Sequence, residues 1–186
     1  MKRILKFSLL LIVFISILGA IYFILKWNKV DYDESINKSN KIKLLDKKVF
    51  RDFFINSGST KIKTDFEIFE NKSDTVSFNF SSTLNPKHPN LLFITFNSGD
   101  GFAGVNINIL KYRNYFLTST QSYSDVISTF DFLESEPYII KKQKLTLNKS
   151  IYKKGDSIFG KVELEIKFTP NDSIYNAKGY FKSIVD

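Results

Sequence analysis

The sequence predicts a mainly β protein in which one N-terminal transmembrane helix precedes an antiparallel β-sandwich or small β-barrel domain. The helix is predicted from residues 7–25, an apolar run without a charge. The β domain is predicted from apolar and polar residues that alternate with a period of two along much of the remaining chain. Composition agrees, because 19 Phe and 9 Tyr stand against one Met and one Trp, and aromatic rings favour pleated strands.

The 186 residues divide into four predicted parts. Residues 1–6 are a cytoplasmic N-terminus, residues 7–25 the transmembrane helix, residues 26–48 a polar, Lys-rich stalk, and residues 49–186 an exported β domain. Setting aside the apolar run and its flanks leaves roughly 150 residues, the ordinary size of one domain with its own core. One folded domain is therefore expected.

The apolar run at residues 7–25 is long enough to cross a bilayer. A helix of this length extends roughly 28 Å, close to the ~30 Å hydrocarbon core, and 14 of its 19 residues are Leu, Ile, Phe or Val. The alternative is a cleaved signal peptide, which has a shorter apolar region and a small-x-small cleavage site. A cut after Ala20 would place the bulky Leu18 where a small residue is needed. The run therefore predicts an uncleaved signal-anchor.

Basic residues predict the orientation of this helix. Lys2, Arg3 and Lys6 precede the run, whereas the two lysines that follow it stand beside three acidic residues. Basic residues near a span are retained on the cytoplasmic side. The prediction is a single-pass membrane protein, most simply of a bacterial inner membrane, with a cytoplasmic N-terminus and a domain exported to the periplasm or the exterior.

Alternating residues predict about seven to ten strands joined by short turns, which favours a sandwich or a small barrel. The LLFITF segment at residues 91–96 is apolar on both faces and predicts a more buried strand. Residues 49–55 and 124–133 fit a strand or a short helix equally well. The clearest alternating segments are residues 66–68, 76–80, 105–109 and 158–168.

The end of the chain predicts a β-hairpin that belongs to the core. Residues 158–168 alternate, residues 170–173 supply a turn, and residues 174–185 return. The predicted register sets Val162 opposite Phe181 and Ile166 opposite Ala177. All apolar residues of the first strand would then share one face, and a slip by one residue would turn them outward.

Charge and composition exclude several functions. The net charge is +8, but four of the basic residues flank the apolar run and leave 23 basic against 19 acidic residues. Only three basic residues are Arg, the side chain suited to phosphate and base recognition, so no nucleic-acid binding is predicted. Without cysteine the chain has no disulfide, thiolate nucleophile, cysteine-based zinc site or lipidated cysteine.

A glycine motif resembles a dinucleotide-binding fingerprint but lacks its context. Gly99, Gly101 and Gly104 form G-x-G-x-x-G after an apolar strand. The motif requires a helix after the glycines, so that its N-terminus points at pyrophosphate. Residues 105–110 alternate with a period of two instead, which predicts a hairpin.

Other candidate catalytic groups also have simpler explanations. His88 is the only histidine and lies in the turn-like segment NPKHPN. The carboxylate pairs Glu134 with Glu136 and Glu163 with Glu165 are spaced as on one strand face, which predicts solvated charge rather than an acid–base pair. The sequence thus predicts no enzyme and no catalytic, cofactor-binding or metal-ligating residue.

Two functions from different classes follow from this organisation. The favoured one is a membrane-anchored, non-catalytic protein-interaction module whose partner is another envelope protein, since anchoring raises the local concentration of the domain. The alternative is a carrier or binder of a lipid or other apolar ligand inside the β domain, suggested by the Phe-rich strands. In architecture alone the chain resembles bitopic envelope proteins of bacteria, such as the jelly-roll component of lipopolysaccharide export. The partner, any small-molecule ligand and the oligomeric state do not follow from the sequence.

Overall fold

The structure, a computed structural model, describes most of the chain. It covers residues 2–45, 49–50, 60–61, 63–69, 75–99, 102–124 and 137–186. Side chains are described in these ranges except at residues 2–9, 49–50, 60–61 and 75–77.

The described chain contains two α-helices, one 3₁₀ helix and thirteen strands. The helices are α1 (Lys2–Leu25), the 3₁₀ helix η1 (Glu34–Lys38) and α2 (Asn40–Leu45). The strands are β1 (Asn28–Lys29), β2 (Asp31–Tyr32), β3 (Val49–Phe50), β4 (Thr60–Lys61), β5 (Glu67–Phe69), β6 (Thr75–Ser77), β7 (Asn79–Leu84), β8 (Leu91–Gly99), β9 (Ala103–Tyr112), β10 (Tyr115–Ser124), β11 (Tyr138–Leu147), β12 (Ser157–Phe168) and β13 (Ser173–Ile184).

Two sheets share one core and form a β-sandwich. Sheet A has the order β1-β10-β9-β8-β7 and is antiparallel throughout. Sheet B has the order β2-β11-β12-β13-β5-β6 and is antiparallel except where β2 runs parallel to β11. The short strands β3 and β4 pair with each other. The predicted mainly β class is confirmed, and of the two predicted architectures the structure has the sandwich.

Aromatic rings from both sheets fill the centre of the sandwich. Phe80 and Phe96 belong to sheet A and Phe181 to sheet B, while Phe66 lies just before β5. Ring centroids in this group are 4.6–5.6 Å apart, the range of favourable aromatic pairs. Each buried ring removes about 150–250 Å² from water, so this cluster contributes much of the attraction between the sheets.

The C-terminal hairpin forms as predicted, but its register differs by two residues. Val162 lies opposite Gly179, and Ile166 lies opposite Tyr175. The turn is tighter than expected, because Phe168 already pairs with Ser173 and Asp172 adopts a positive φ of 59°. Asp tolerates this left-handed conformation. Since the shift is even, the predicted inward face is correct, and Val162 and Ile166 are buried.

The segment predicted as a polar stalk, residues 26–48, is instead largely part of the domain. β1 pairs with β10 in sheet A, β2 pairs with β11 in sheet B, and Val30 between them is 1% exposed within the main core. Apolar residues of η1 and α2 are buried as well, at Ile36, Ile42 and Leu45. These isolated apolar residues pack although their neighbours are polar, so the described domain begins at Asn28 rather than at residue 49.

Two further strand predictions have mixed outcomes. The prediction that β8 is buried on both faces is wrong, because Phe93 is 41% exposed while Leu92, Ile94 and Phe96 are buried. Strand β8 therefore has one solvent face like its neighbours. Of residues 49–55 only β3 is described, and nearly all of residues 124–133 lie outside the described ranges.

Helix α1 is continuous from Lys2 to Leu25. From Leu10 onward its large apolar side chains are 48–76% exposed. In the part of the chain that the structure describes, no helix meets the combined length and hydropathy of a membrane span. The transmembrane helix predicted at residues 7–25 therefore gains no support from the structure.

Candidate functional site

The glycine motif lies in a β-hairpin, as the alternation after it predicts. Gly99 ends β8 and pairs with Gly104 of β9. A methyl group on Gly99 would lie 2.3 Å from the backbone oxygen of Ala103, and one on Gly104 would lie 2.1 Å from the backbone oxygen of Ser98, so both positions require glycine. No helix follows the motif, and this arrangement offers no cradle for pyrophosphate. Gly101 lies outside the described ranges.

The other candidate chemical groups are not brought together. His88 is exposed in the loop between β7 and β8. Glu163 accepts a hydrogen bond from Lys161, and Glu165 accepts one from Lys142 at 2.7 Å, so both carboxylates of this pair are occupied by lysines. Glu134 and Glu136 lie outside the described ranges. Among the residues that are described, no three His, Cys, Asp or Glu side chains cluster as metal ligands.

The most unusual surface of the domain is the outer face of sheet A from β7 to β10; the sheet's only charged edge residue on β1, Lys29, lies opposite Tyr115. Along β7, β8, β9 and β10, eighteen residues point away from the core, and none of them is charged, although 25% of the chain is Asp, Glu, Lys or Arg. We call these residues the uncharged face. They are Asn79, Ser81, Thr83, Leu91, Phe93, Thr95, Asn97, Gly99, Gly104, Asn106, Asn108, Leu110, Tyr112, Tyr115, Leu117, Ser119, Gln121 and Tyr123.

Side-chain hydrogen bonds order the middle of the uncharged face. Thr95 donates to the amide oxygen of Asn108 at 3.1 Å, and Asn97 donates to the amide oxygen of Asn106 in the next cross-strand row. Around these polar rows lie exposed rings, with Phe93 at 41% and Tyr115 at 54% exposure. A surface of rings and paired amides needs little desolvation of charge when another surface covers it.

The outer face of sheet B has the opposite character. Glu163, Glu165 and Lys178 point outward from β12 and β13, and lysines pair with the two glutamates. Exposed ion pairs of this kind contribute little to stability and keep a surface soluble. The two outer faces of the sandwich therefore differ in charge. This difference is visible only when the order of the strands is known, because each face combines residues of several strands.

An apolar cleft of about 460 Å³ opens between the sheets at the end of the sandwich where β8 and β12 end. Its walls include Val105 and Ile107 from sheet A and Ile166 and Phe168 from sheet B. The hydroxyl-bearing side chain of Thr120 also lines it. Phe78 also lines the cleft, and its ring centroid lies 5.0 Å from that of Phe66, so the cleft adjoins the ring cluster at the centre of the sandwich.

Helix α1 is attached to the sandwich through Gln143 of β11. The Gln143 amide donates to the carbonyl oxygen of Lys26 at 2.9 Å, and its oxygen accepts from the backbone N–H of Thr118 at 2.8 Å. One side chain therefore joins the end of α1, strand β10 and strand β11. No sequence pattern marks Gln143, because only the pairing of strands brings these groups together.

The fold and these surfaces define a β-sandwich with an N-terminal apolar helix. Comparison with known protein families, with curated proteins and with solved structures finds no match to this chain.

Proposed function

We propose that this protein is a membrane-anchored, non-catalytic interaction module that binds a partner protein of the cell envelope through the uncharged face. The observation that carries the proposal is the absence of charge at all eighteen outward positions of β7 to β10. Depletion of charge and enrichment of aromatic rings are features of the central part of protein–protein interfaces.

The apolar run at residues 7–25 is the basis of the membrane part of the proposal. Fourteen of residues 7–25 are Leu, Ile, Phe or Val, and the described apolar side chains of α1 are largely exposed. Exposed apolar area of this extent is stable in water only when something apolar covers it. A bilayer would cover it on all sides, and the basic residues before the helix would hold the N-terminus in the cytoplasm.

The short connection between α1 and the sandwich supports a domain whose orientation relative to the helix is restricted. Asn28 begins β1 three residues after α1 ends at Leu25, and Gln143 holds the carbonyl of Lys26. A short connection restricts the orientations of the domain, which raises its effective concentration toward a partner in the same membrane. The expected partner is therefore itself membrane-bound or membrane-associated.

The test is cross-linking in native membranes followed by co-purification of the full-length chain through a tag after Asp186. We expect a defined partner to be recovered with the natural chain and at least about tenfold less with Asn108→Lys, which places an unpaired charge in the middle of the uncharged face. The matched control is Asn176→Lys, the same exchange on the outer face of sheet B. Equal recovery with both variants would remove the uncharged face from the interaction.

The apolar cleft favours a second function, the binding of a lipid or other apolar ligand. Its volume of about 460 Å³ lies within the range of small-molecule sites, roughly 300–1,000 Å³. Lipid extraction of the purified chain followed by mass spectrometry tests this function. Ile166→Trp should fill the cleft and reduce a bound lipid, whereas Asn108→Lys should leave it unchanged. A natural chain that carries no lipid in stoichiometric amount would exclude a carrier.

A further inference from the structure

Lys111 is a charged residue that points into the sandwich. It continues the inward-facing row of β9 after Ile107 and Ile109, and it is 3% exposed. Its ammonium group donates to the carbonyl oxygen of Ser150 at 2.8 Å. Burial of a lysine is costly unless the charge is paired or well hydrogen-bonded.

No acidic side chain of the described chain neutralises Lys111. The ion pairs among the described residues involve other lysines, at positions 142, 144, 149, 161 and 167. An ammonium group has three N–H donors, and Ser150 accepts from one of them. Burial lowers the pKa of Lys111 to about 8, so the side chain is still mostly protonated at neutral pH. Lys111 is therefore a buried cation for which the described residues supply one hydrogen-bond acceptor.

A cavity of about 310 Å³ lies beside Lys111, at the end of the sandwich opposite the apolar cleft. Arg113, in the turn between β9 and β10, lines the same cavity; its guanidinium lies 5.4 Å from the centre of the Tyr112 ring and takes part in no ion pair among the described residues. Its backbone has a positive φ of 52°, a conformation that is uncommon for residues other than glycine. Asn90 and Asn114 add amide groups to the wall.

We propose that this cavity, the Lys111 pocket, binds a phosphate group, either free or as part of a phosphorylated ligand. The ammonium of Lys111 supplies a point charge, and the guanidinium of Arg113 supplies a planar fork of donors, a combination that suits phosphate oxygens. The anion would provide the counter-charge that Lys111 lacks, in surroundings where water screens the attraction poorly. The small volume fits one phosphate group with a short extension.

Isothermal titration of the full-length chain, in an uncharged detergent and at constant ionic strength, tests the proposal with inorganic phosphate. We expect saturable binding that Lys111→Met weakens about tenfold or more, because one charge-assisted contact is lost. Met keeps the length of the buried aliphatic stem, so the variant should fold. Arg113→Gln removes the second cation outside the core and should weaken binding in the same direction.

Lys154→Met is the charge-matched control, because Lys154 is exposed in the loop between β11 and β12 at the same end of the sandwich. It should bind phosphate like the natural chain. Glycerol phosphate, titrated in parallel, separates the two sources: tighter binding than inorganic phosphate indicates a phosphorylated ligand, and equal binding indicates free phosphate. Absence of saturable binding to the natural chain, or unchanged binding to Lys111→Met, would overturn the proposal, as would acetate binding as tightly as phosphate.

Discussion

Val162 and Glu163 are neighbours on β12 whose side chains point to opposite faces of sheet B. Val162 has 0% exposure and belongs to the main core, whereas Glu163 lies on the solvent face beside Lys161. Burial rather than charge pairing therefore sets the face that β12 turns inward, since exposed pairs contribute only about 0.2–1 kcal/mol.

Val162→Asp is accordingly expected to abolish the folded domain. An ionised carboxylate at this position would have no partner in the core, and the penalty of several kcal/mol would be comparable with the stability of a whole domain, about 5–15 kcal/mol. Glu163→Gln should stay within about 1 kcal/mol of the natural chain. Thermal unfolding followed by circular dichroism compares the two variants, and equal midpoints would show that β12 does not contribute to the core.

Lys111 makes stability depend on pH in the alkaline range. Its pKa of about 8 in the folded chain lies below the ordinary 10.5. Between these values the unfolded chain binds more protons, so the free energy of unfolding should rise as the pH increases from 8 to 10. Burial raises the pKa of Tyr152 in the same cavity wall, so that tyrosine opposes the trend only above pH 10. Arg113 remains charged throughout.

Lys111→Met should remove this rise and increase the free energy of unfolding at pH 7 by about 3 to 3.5 kcal/mol, because the pKa difference is about 2.5 and each unit corresponds to about 1.4 kcal/mol. Denaturant unfolding in phosphate-free buffer at pH 7, 8, 9 and 10 measures both effects. Parallel curves for the variant and the natural chain would mean that Lys111 is not the group responsible.

At the scale of elements, β13 is hydrogen-bonded to β12 on one side and to β5 on the other. The residue just before β5 approaches β13 most closely at Gly179. A methyl group at Gly179 would lie 2.2 Å from Cα and 2.5 Å from the backbone nitrogen of Phe66, which precedes β5. Backbone atoms cannot turn aside as a flexible side chain can. Gly179 therefore determines how closely the start of β5 approaches β13.

We expect Gly179→Ala to lower the free energy of unfolding by about 1–3 kcal/mol or more, the usual cost of overpacking. The ring of Phe66 would be displaced from the central cluster at the same time. Lys178→Ala, at the exposed neighbouring position, is the control and should cost less than about 1 kcal/mol. The variants are compared by chemical denaturation, and a Gly179→Ala chain as stable as the control would contradict the close approach.

Individual strands could be predicted because their periodicity is local. The alternation at Val105, Ile107 and Ile109 is enough to identify β9 and its inward face. Val30 and Ile36 were missed because single apolar residues among lysines carry no periodic signal. The hairpin register was two residues wrong because it depends on the left-handed conformation of Asp172, which the alternation does not contain.

The candidate sites were less accessible to sequence reasoning than the strands. The uncharged face combines residues of four strands, and its members become neighbours only through the order of sheet A. The alternation predicts that Asn106 and Asn108 face solvent. It does not predict that their neighbours on the adjacent strands are uncharged. The inward direction of Lys111 follows from extending the row of Ile107 and Ile109 by one step, so the sequence does contain this signal.

At the scale of the whole molecule, the proposed membrane anchor predicts a defined topology. A reporter that is active only outside the cytoplasm should work when fused after Asp186, and the mature chain should retain its first 25 residues. Mass spectrometry of the purified chain reads the N-terminus directly. A new N-terminus near Ile21 would instead indicate a cleaved signal peptide. Moving Lys2, Arg3 and Lys6 to the other side of the run should weaken or invert the orientation.

The crossing of residues 28–32 from sheet A to sheet B gives the domain a mechanical property. β1 is bonded to β10, β2 is bonded to β11, and Val30 is the single residue between them. Tension applied through α1 therefore acts on both sheets within a few residues. It does not separate the strands of one sheet one at a time from the edge. We expect the sandwich to carry such a load as a unit, so that the two sheets resist extension together.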